Sequence, residues 1–347
     1  MTQRCLAAAL AAVAVAVLAP AIAVAQSAES AAPRTAWGAP DLGGVWDFRS
    51  ITPMERPDDL GDKAFLTEEE AARLEQEAVD RNLELLNRSR RDTVAGASVD
   101  RGEDGAPGPY NNFWLDRGET TVGTRRTSLI VDPPNGKMPA LTTAAAARVA
   151  ALAAEREGVA THAPTPGGWV EDLGANGLQL RCITGFNAGP PMTPGGYNNN
   201  VQIFQTEHSV ALLNEMNHNV RVVPLDGRNR AGLAQWTGES RGHWDGDTLV
   251  VETVDFQRET SFARGRTDKH LRLVERFTRV SADTLMYQAT IDDPTVWTTE
   301  WTYEVPMQLN EQPLYEYACH EGNYGLYNIL AGARVEEAAA AAQQASE

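Results

Sequence analysis

From Tyr197 to Val305 the chain is a succession of short runs in which apolar side chains alternate with polar ones. The runs are Val201–Gln205, Val210–Met216, Val220–Val223, Thr248–Thr253, Leu271–Val280, Thr284–Ile291 and Val296–Val305. Turn residues separate them at Thr206–Ser209, Asn217–Asn219, Asp245-Gly246, Ser281–Asp283 and Asp292-Asp293-Pro294. Successive side chains of a strand point to opposite faces, so period-two patterning with regular turns specifies an antiparallel meander that buries one face. A mainly β fold follows, either a barrel or a sandwich.

The N-terminal half supplies helices instead. Thr67 and Glu70 form a capping box for a helix over Leu66–Arg88, whose core stripe is Ala71, Leu74, Ala78 and Leu85. A second, alanine-rich helix is predicted from Thr143 to about Arg156. Asp41–Trp46 delivers a tryptophan into a first strand, and Thr127–Val131 is a short one. Tyr324, Tyr327 and Leu330 recur at helical spacing, which predicts a C-terminal helix packed by its aromatics. Residues 41–347 are therefore expected to form one β-rich domain with helical insertions, preceded by a disordered lead-in over 26–40. Arg90–Pro109 lacks periodicity and is expected to be a mobile loop.

The first 25 residues have the pattern of an export signal. Arg4 is followed by an apolar run and by Ala23-Val24-Ala25, a small-x-small cleavage site. No later stretch is apolar for long enough to span a membrane. The expected location is the periplasm or the extracellular space. There two cysteines, Cys182 and Cys319, most simply form a disulfide. A formal net charge of −17 repels nucleic acid and anionic lipid, so neither is an expected partner.

The stretches Asp41–Trp46, Thr127–Pro134, Arg181–Ile183, Asn217–Gly227, Ser240–Thr253, His270–Val280 and Tyr315–Arg334 resemble an uncharacterised family of exported bacterial proteins. That resemblance implies export but no activity or cofactor. More loosely the chain is similar to lipocalin-like (calycin) β-barrels, in which Gly-x-Trp, here Gly44-Val45-Trp46, opens the first strand. The lipocalin likeness implies a barrel enclosing an apolar cavity. Here two predicted helices separate the tryptophan from the main meander.

Charged residues among the apolar ones are the candidates for chemistry, because a carboxylate on a leucine face is costly unless it lines a polar pocket or is paired. By parity Glu275 shares a face with Leu271, Leu273 and Phe277, Glu215 with Ala211 and Leu213, and Glu252 with Val250. If apolar parity marks the interior, three glutamates enter it; the alternative is structural ion pairs with Arg221 and Arg241. Glu215, His218, Arg221, His320 and Glu321 are expected to assemble at a barrel mouth, with the disulfide holding the last segment against the meander. Arg241, His243, Glu252, Glu275, Trp297 and Trp301 are candidate ligand contacts, although a stripe such as Trp297, Trp301, Tyr303 is more often core than binding surface. Neither a metal nor another cofactor is expected, since zinc, nucleotide and nucleophile-elbow motifs are all missing. Two functions use such a cavity, beside a third reading as a structural envelope protein kept in solution by its acidic surface. One is a cofactor-free acid–base enzyme (isomerase, lyase or hydratase) with Glu215 or His218 as base, His320 as acid, and Arg221 or Arg241 on developing negative charge. The other is a non-catalytic carrier of a small, partly apolar molecule.

Overall fold

The structure is a computed structural model, which describes residues 32–87, 115–155, 157, 175–185, 187–257, 260–262, 265–267, 269–321 and 323–346. The export signal and the loop Arg90–Pro109 lie outside the described residues. Of the lead-in 26–40, the described part folds back on itself through an Arg34–Pro40 bridge, and Arg34 reaches Asp247 at 2.6 Å.

In chain order the elements are β1 (Gly44–Asp47), α1 (Glu68–Asn87), β2 (Ile130–Asp132), α2 (Thr143–Glu155), α3 (Ala175–Leu180), β3 (Asn200–Gln205), β4 (Ser209–Asn214), β5 (Asn219–Pro224), β6 (Glu239–Asp245), β7 (Thr248–Val254), β8 (Thr260–Phe262), β9 (Gly265–Thr267), β10 (Arg272–Arg279), β11 (Thr284–Asp292), β12 (Trp301–Asn310) and α4 (Tyr324–Gln344). The main sheet runs β5-β4-β3-β1-β12-β11-β10-β7-β6, every neighbouring pair antiparallel. Strand β1 is the link that the sequence leaves open. It inserts between the first and last strands of the meander, pairing Trp46 with Val201 on one side and Leu309 on the other. Strand β2 takes the remaining edge of β12 at Thr302–Tyr303.

The result is a nearly closed barrel. Its end strands β5 and β6 lie against each other without a ladder of hydrogen bonds between them. Gly242 permits that approach. A Cβ there would stand 2.7 Å from Leu225 Cδ2 and 2.8 Å from Val223 Cγ1, closer than side chains tolerate. The seam is thus packed by side chains.

Large side chains fill the interior. Trp46, Phe277, Tyr287, Trp301 and Tyr303 are completely buried, as are Leu212, Leu249 and Leu273. At one end Arg279 lies 5.0 Å over the Trp46 ring and donates to the Asp41 carbonyl at 2.6 Å. Outside, α1 buries Ala71 and Ala78, and its capping box forms as expected through Thr67 and Glu70.

Three expectations need correction. The last strand begins at Trp301, not Val296, because Asp293 accepts from the backbone and hydroxyl of Thr295 and its own carbonyl accepts from Val296 and Trp297, closing a turn. Strand β6, concealed by Gly242 and by charged residues, is additional. Helix α4 forms, yet Tyr324 and Tyr327 are 73% and 72% exposed, so its aromatics do not pack it.

Candidate functional site

An ion pair sits inside the barrel. Arg221 on β5 and Glu275 on β10 are 4% and 0% exposed, and their contact is bidentate, Nη1 to Oε2 at 2.6 Å and Nη2 to Oε1 at 2.9 Å. Inward parity places both there: Glu275 alternates with Leu273 and Phe277, and Arg221 stands opposite Leu212 with Val223 beyond it. Because β6 and β7 lie between β10 and the seam, the guanidinium crosses the open edge of the barrel to reach its partner. On the way its Nη1 approaches Ser240 Oγ at 3.4 Å, and Ser240 bonds Thr253 at 2.8 Å. The pair ties the two ends of the sheet together where backbone pairing stops.

Further hydrogen bonds run from the carboxylate to the connector. Tyr287 donates to Glu275 Oε1 at 2.9 Å and accepts from the backbone N–H of Met192 at 3.1 Å. Tyr303 donates to the Met192 carbonyl at 2.7 Å. The connector 187–199 thereby dips into the barrel, with Pro190, Pro191 and Met192 buried. Asn187 and Asn199 hold it by side-chain bonds to the backbone at Tyr197, Asn198, Asp116 and Gly195.

Burial and the neighbouring Glu275 carboxylate push the Tyr287 phenol well above its ordinary range, and burial does the same for Tyr303. Both stay protonated in the folded protein after an unfolded tyrosine, near 10, has ionised. Their contribution to stability is therefore complete below about pH 10 and is lost as pH rises beyond it. In an ultraviolet titration, Tyr287 and Tyr303 ionise only with unfolding. Ionisation of all the tyrosines in a protein that keeps its fold would contradict this.

Beside the ion pair are polar groups without partners. Asn214 is 1% exposed and occupies the inward position of β4 next beyond Leu212, diagonal to Arg221. Neither atom of its amide has a hydrogen-bond partner among the described residues. The same holds for the amide of Asn217, 6% exposed in the turn that follows, and for Arg221 Nε. Leaving such a group unmet costs about 1–3 kcal/mol, so several together on one wall call for an explanation.

In comparisons with protein-family models, curated proteins and solved structures, the chain finds no match. The barrel is nevertheless compatible with a lipocalin-like fold.

The other sequence candidates are dispersed. Glu215 follows β4 on the outward parity and accepts from Asn200 Nδ2 at 2.8 Å. Glu252 also faces outward. Burial alone would raise its carboxyl, but Arg272 and Arg230, both at 2.7 Å, hold it below the usual range. Arg241 pairs with Glu239 at 2.5 Å on the same outer surface, and His243 is exposed. Of the three glutamates expected inside, the barrel admits Glu275 alone. Trp297 and Trp301 are buried and pack edge to face at 5.7 Å within the core. His218, His320 and Glu321 are exposed. The disulfide Cys182–Cys319 is present, with Cα atoms 5.7 Å apart. It accompanies the contact of His218 Nδ1 with the Tyr317 carbonyl at 3.2 Å, which brings the last segment to the β4–β5 turn.

Sequence parity missed Asn214, Tyr287, Ser240 and Thr253. Asn214 was within reach, because it shares parity with Val210 and Leu212 just as Glu275 does with its leucines. In β4 both parities are apolar, and the bulkier set, Val210 and Leu212, is the one that went inside.

Proposed function

We propose that this is an exported carrier that binds a small, partly apolar molecule within its barrel, against the β4–β5 wall. The observation that carries this is the adjacent set of unmet polar groups, Arg221 Nε and the Asn214 amide, beside Leu212 and Val223 on the inner face of β4 and β5. Ligand sites are mostly apolar surfaces with a few convergent polar groups that fix orientation. An amide offers both a donor and an acceptor, and the free edge of a guanidinium adds a donor, so the ligand should carry a carbonyl or hydroxyl group. Export is supported by the signal-like N-terminus together with a disulfide.

Binding is favoured over acid–base catalysis for two reasons. The charge of Arg221 is already matched by Glu275, and the histidines that would move protons, His218 and His320, are exposed to solvent rather than inside the barrel. Native mass spectrometry of the protein purified from its own envelope is expected to show a co-purifying organic molecule. Asn214→Leu should keep the fold and lose roughly tenfold or more in affinity for it, the scale of one good hydrogen bond. His218→Ala and His320→Ala should bind normally. Undiminished binding by Asn214→Leu refutes the site, and turnover lost in the histidine variants would restore the enzyme.

A further inference from the structure

We infer a second binding site outside the barrel, for a small organic anion with a short apolar body. It is a cleft of about 270 Å³ between α1 and the segments 51–60 and 121–127. On α1 the residues Glu70, Arg73, Leu74, Glu77 and Arg81 recur at three- and four-residue spacing, so one face of the helix forms a wall. Ile51 and Leu66 continue the apolar lining supplied by Leu74.

Charge pairing within the cleft is uneven. Glu70 is taken by Lys63 and by the backbone N–H of Thr67, and Glu77 by Arg73 at 2.6 Å. Arg81 and Arg126 also line the cleft, and neither has a carboxylate partner among the described residues. Arg126 is fixed in place, its guanidinium 5.2 Å over the Phe65 ring, while its Nε is buried without a hydrogen-bond partner. The remaining carboxylate, Asp59, is exposed. In a chain of net charge −17 an anion is repelled by most of the surface, so two guanidiniums that outnumber the remaining Asp59 above an apolar floor, counted among the described residues, form a local exception. Guanidinium donors in a planar fork match a carboxylate. A medium-chain carboxylate meets both requirements.

The probe is octanoate, with 1-octanol as its neutral counterpart, titrated into the isotopically labelled full-length protein and followed by amide chemical shifts. Octanoate is expected to shift resonances of α1 and 121–127, and octanol to bind at least about tenfold more weakly. Arg81→Gln with Arg126→Gln should weaken octanoate by a similar factor, and Leu74→Trp, which fills the cleft, should abolish binding. If the Arg126 variant fails to fold, Arg81→Gln and Leu74→Trp carry the test alone. Asn214→Leu should leave octanoate binding untouched, which separates this cleft from the barrel site. Equal binding of octanol, indifference to the arginine changes, or no octanoate binding at saturation would each overturn the inference.

Discussion

Glu275→Gln should destabilise the protein by about 3–5 kcal/mol, the usual cost of breaking a buried ion pair from one side. The substitution keeps the shape of the side chain but leaves Arg221 charged, 4% exposed and facing an amide. No water replaces the carboxylate readily, because Tyr287, Phe277 and Leu273 enclose it. Chemical denaturation at neutral pH measures the loss as a shift in midpoint at unchanged slope. The informative companion is Arg221→Met with Glu275→Leu, which removes both charges. Apolar replacement of a whole buried pair is often neutral or stabilising, so the double variant should recover most of the loss. Its barrel seam should then exchange amide protons faster at β5 and β6, since the cross-brace is gone while the core remains. A loss under about 1 kcal/mol in Glu275→Gln would mean that solvent reaches the pair, as at an exposed salt bridge.

Removing the disulfide is the second large effect. Cys182 and Cys319 are 137 residues apart and enclose every strand from β3 to β12. Chain-entropy reasoning gives roughly 4–5 kcal/mol for a loop of that length, an upper figure that measured cases often fall below. Cys182→Ser with Cys319→Ser should therefore lower the denaturation midpoint strongly without altering the strand signature of the folded protein. The segment carrying Tyr317 keeps weaker ties. Tyr317 stacks on Tyr197 at a centroid distance of 6.5 Å, its carbonyl meets His218, and Asn323 donates to the Leu180 carbonyl at 2.8 Å. Loosening should appear there first, as line broadening or proteolysis near residue 317. A midpoint unchanged on mild reduction would show that those contacts suffice.

Much of the frame was legible because period two is a strong local signal. Six of the seven strand runs and most of their turns fall where alternation puts them, and the cap of α1 is where Thr67 and Glu70 require it. The candidate site was less legible. Glu275 declared itself, being the lone acid among leucines on one parity. Glu215 and Glu252 were drawn in by the smaller apolar set of strands that are apolar on both faces. Arg221, expected either as a site residue or as an ion-pair partner, turned out to pair with a strand six places away along the sheet.

The sequence by itself determined most of the strands, which side chains share a face along each of them, and that a disulfide is the simplest fate of two exported cysteines. Those depend on local geometry and on elimination among few alternatives. Only the tertiary structure decided which face of β4 and β7 is the inside, that β1 fills the gap between β3 and β12, and that the connector at Met192 enters the barrel. Each of these turns on contacts between residues tens to hundreds of positions apart. Their outcome is set by how bulky side chains fill one shared interior, a quantity that no single strand encodes.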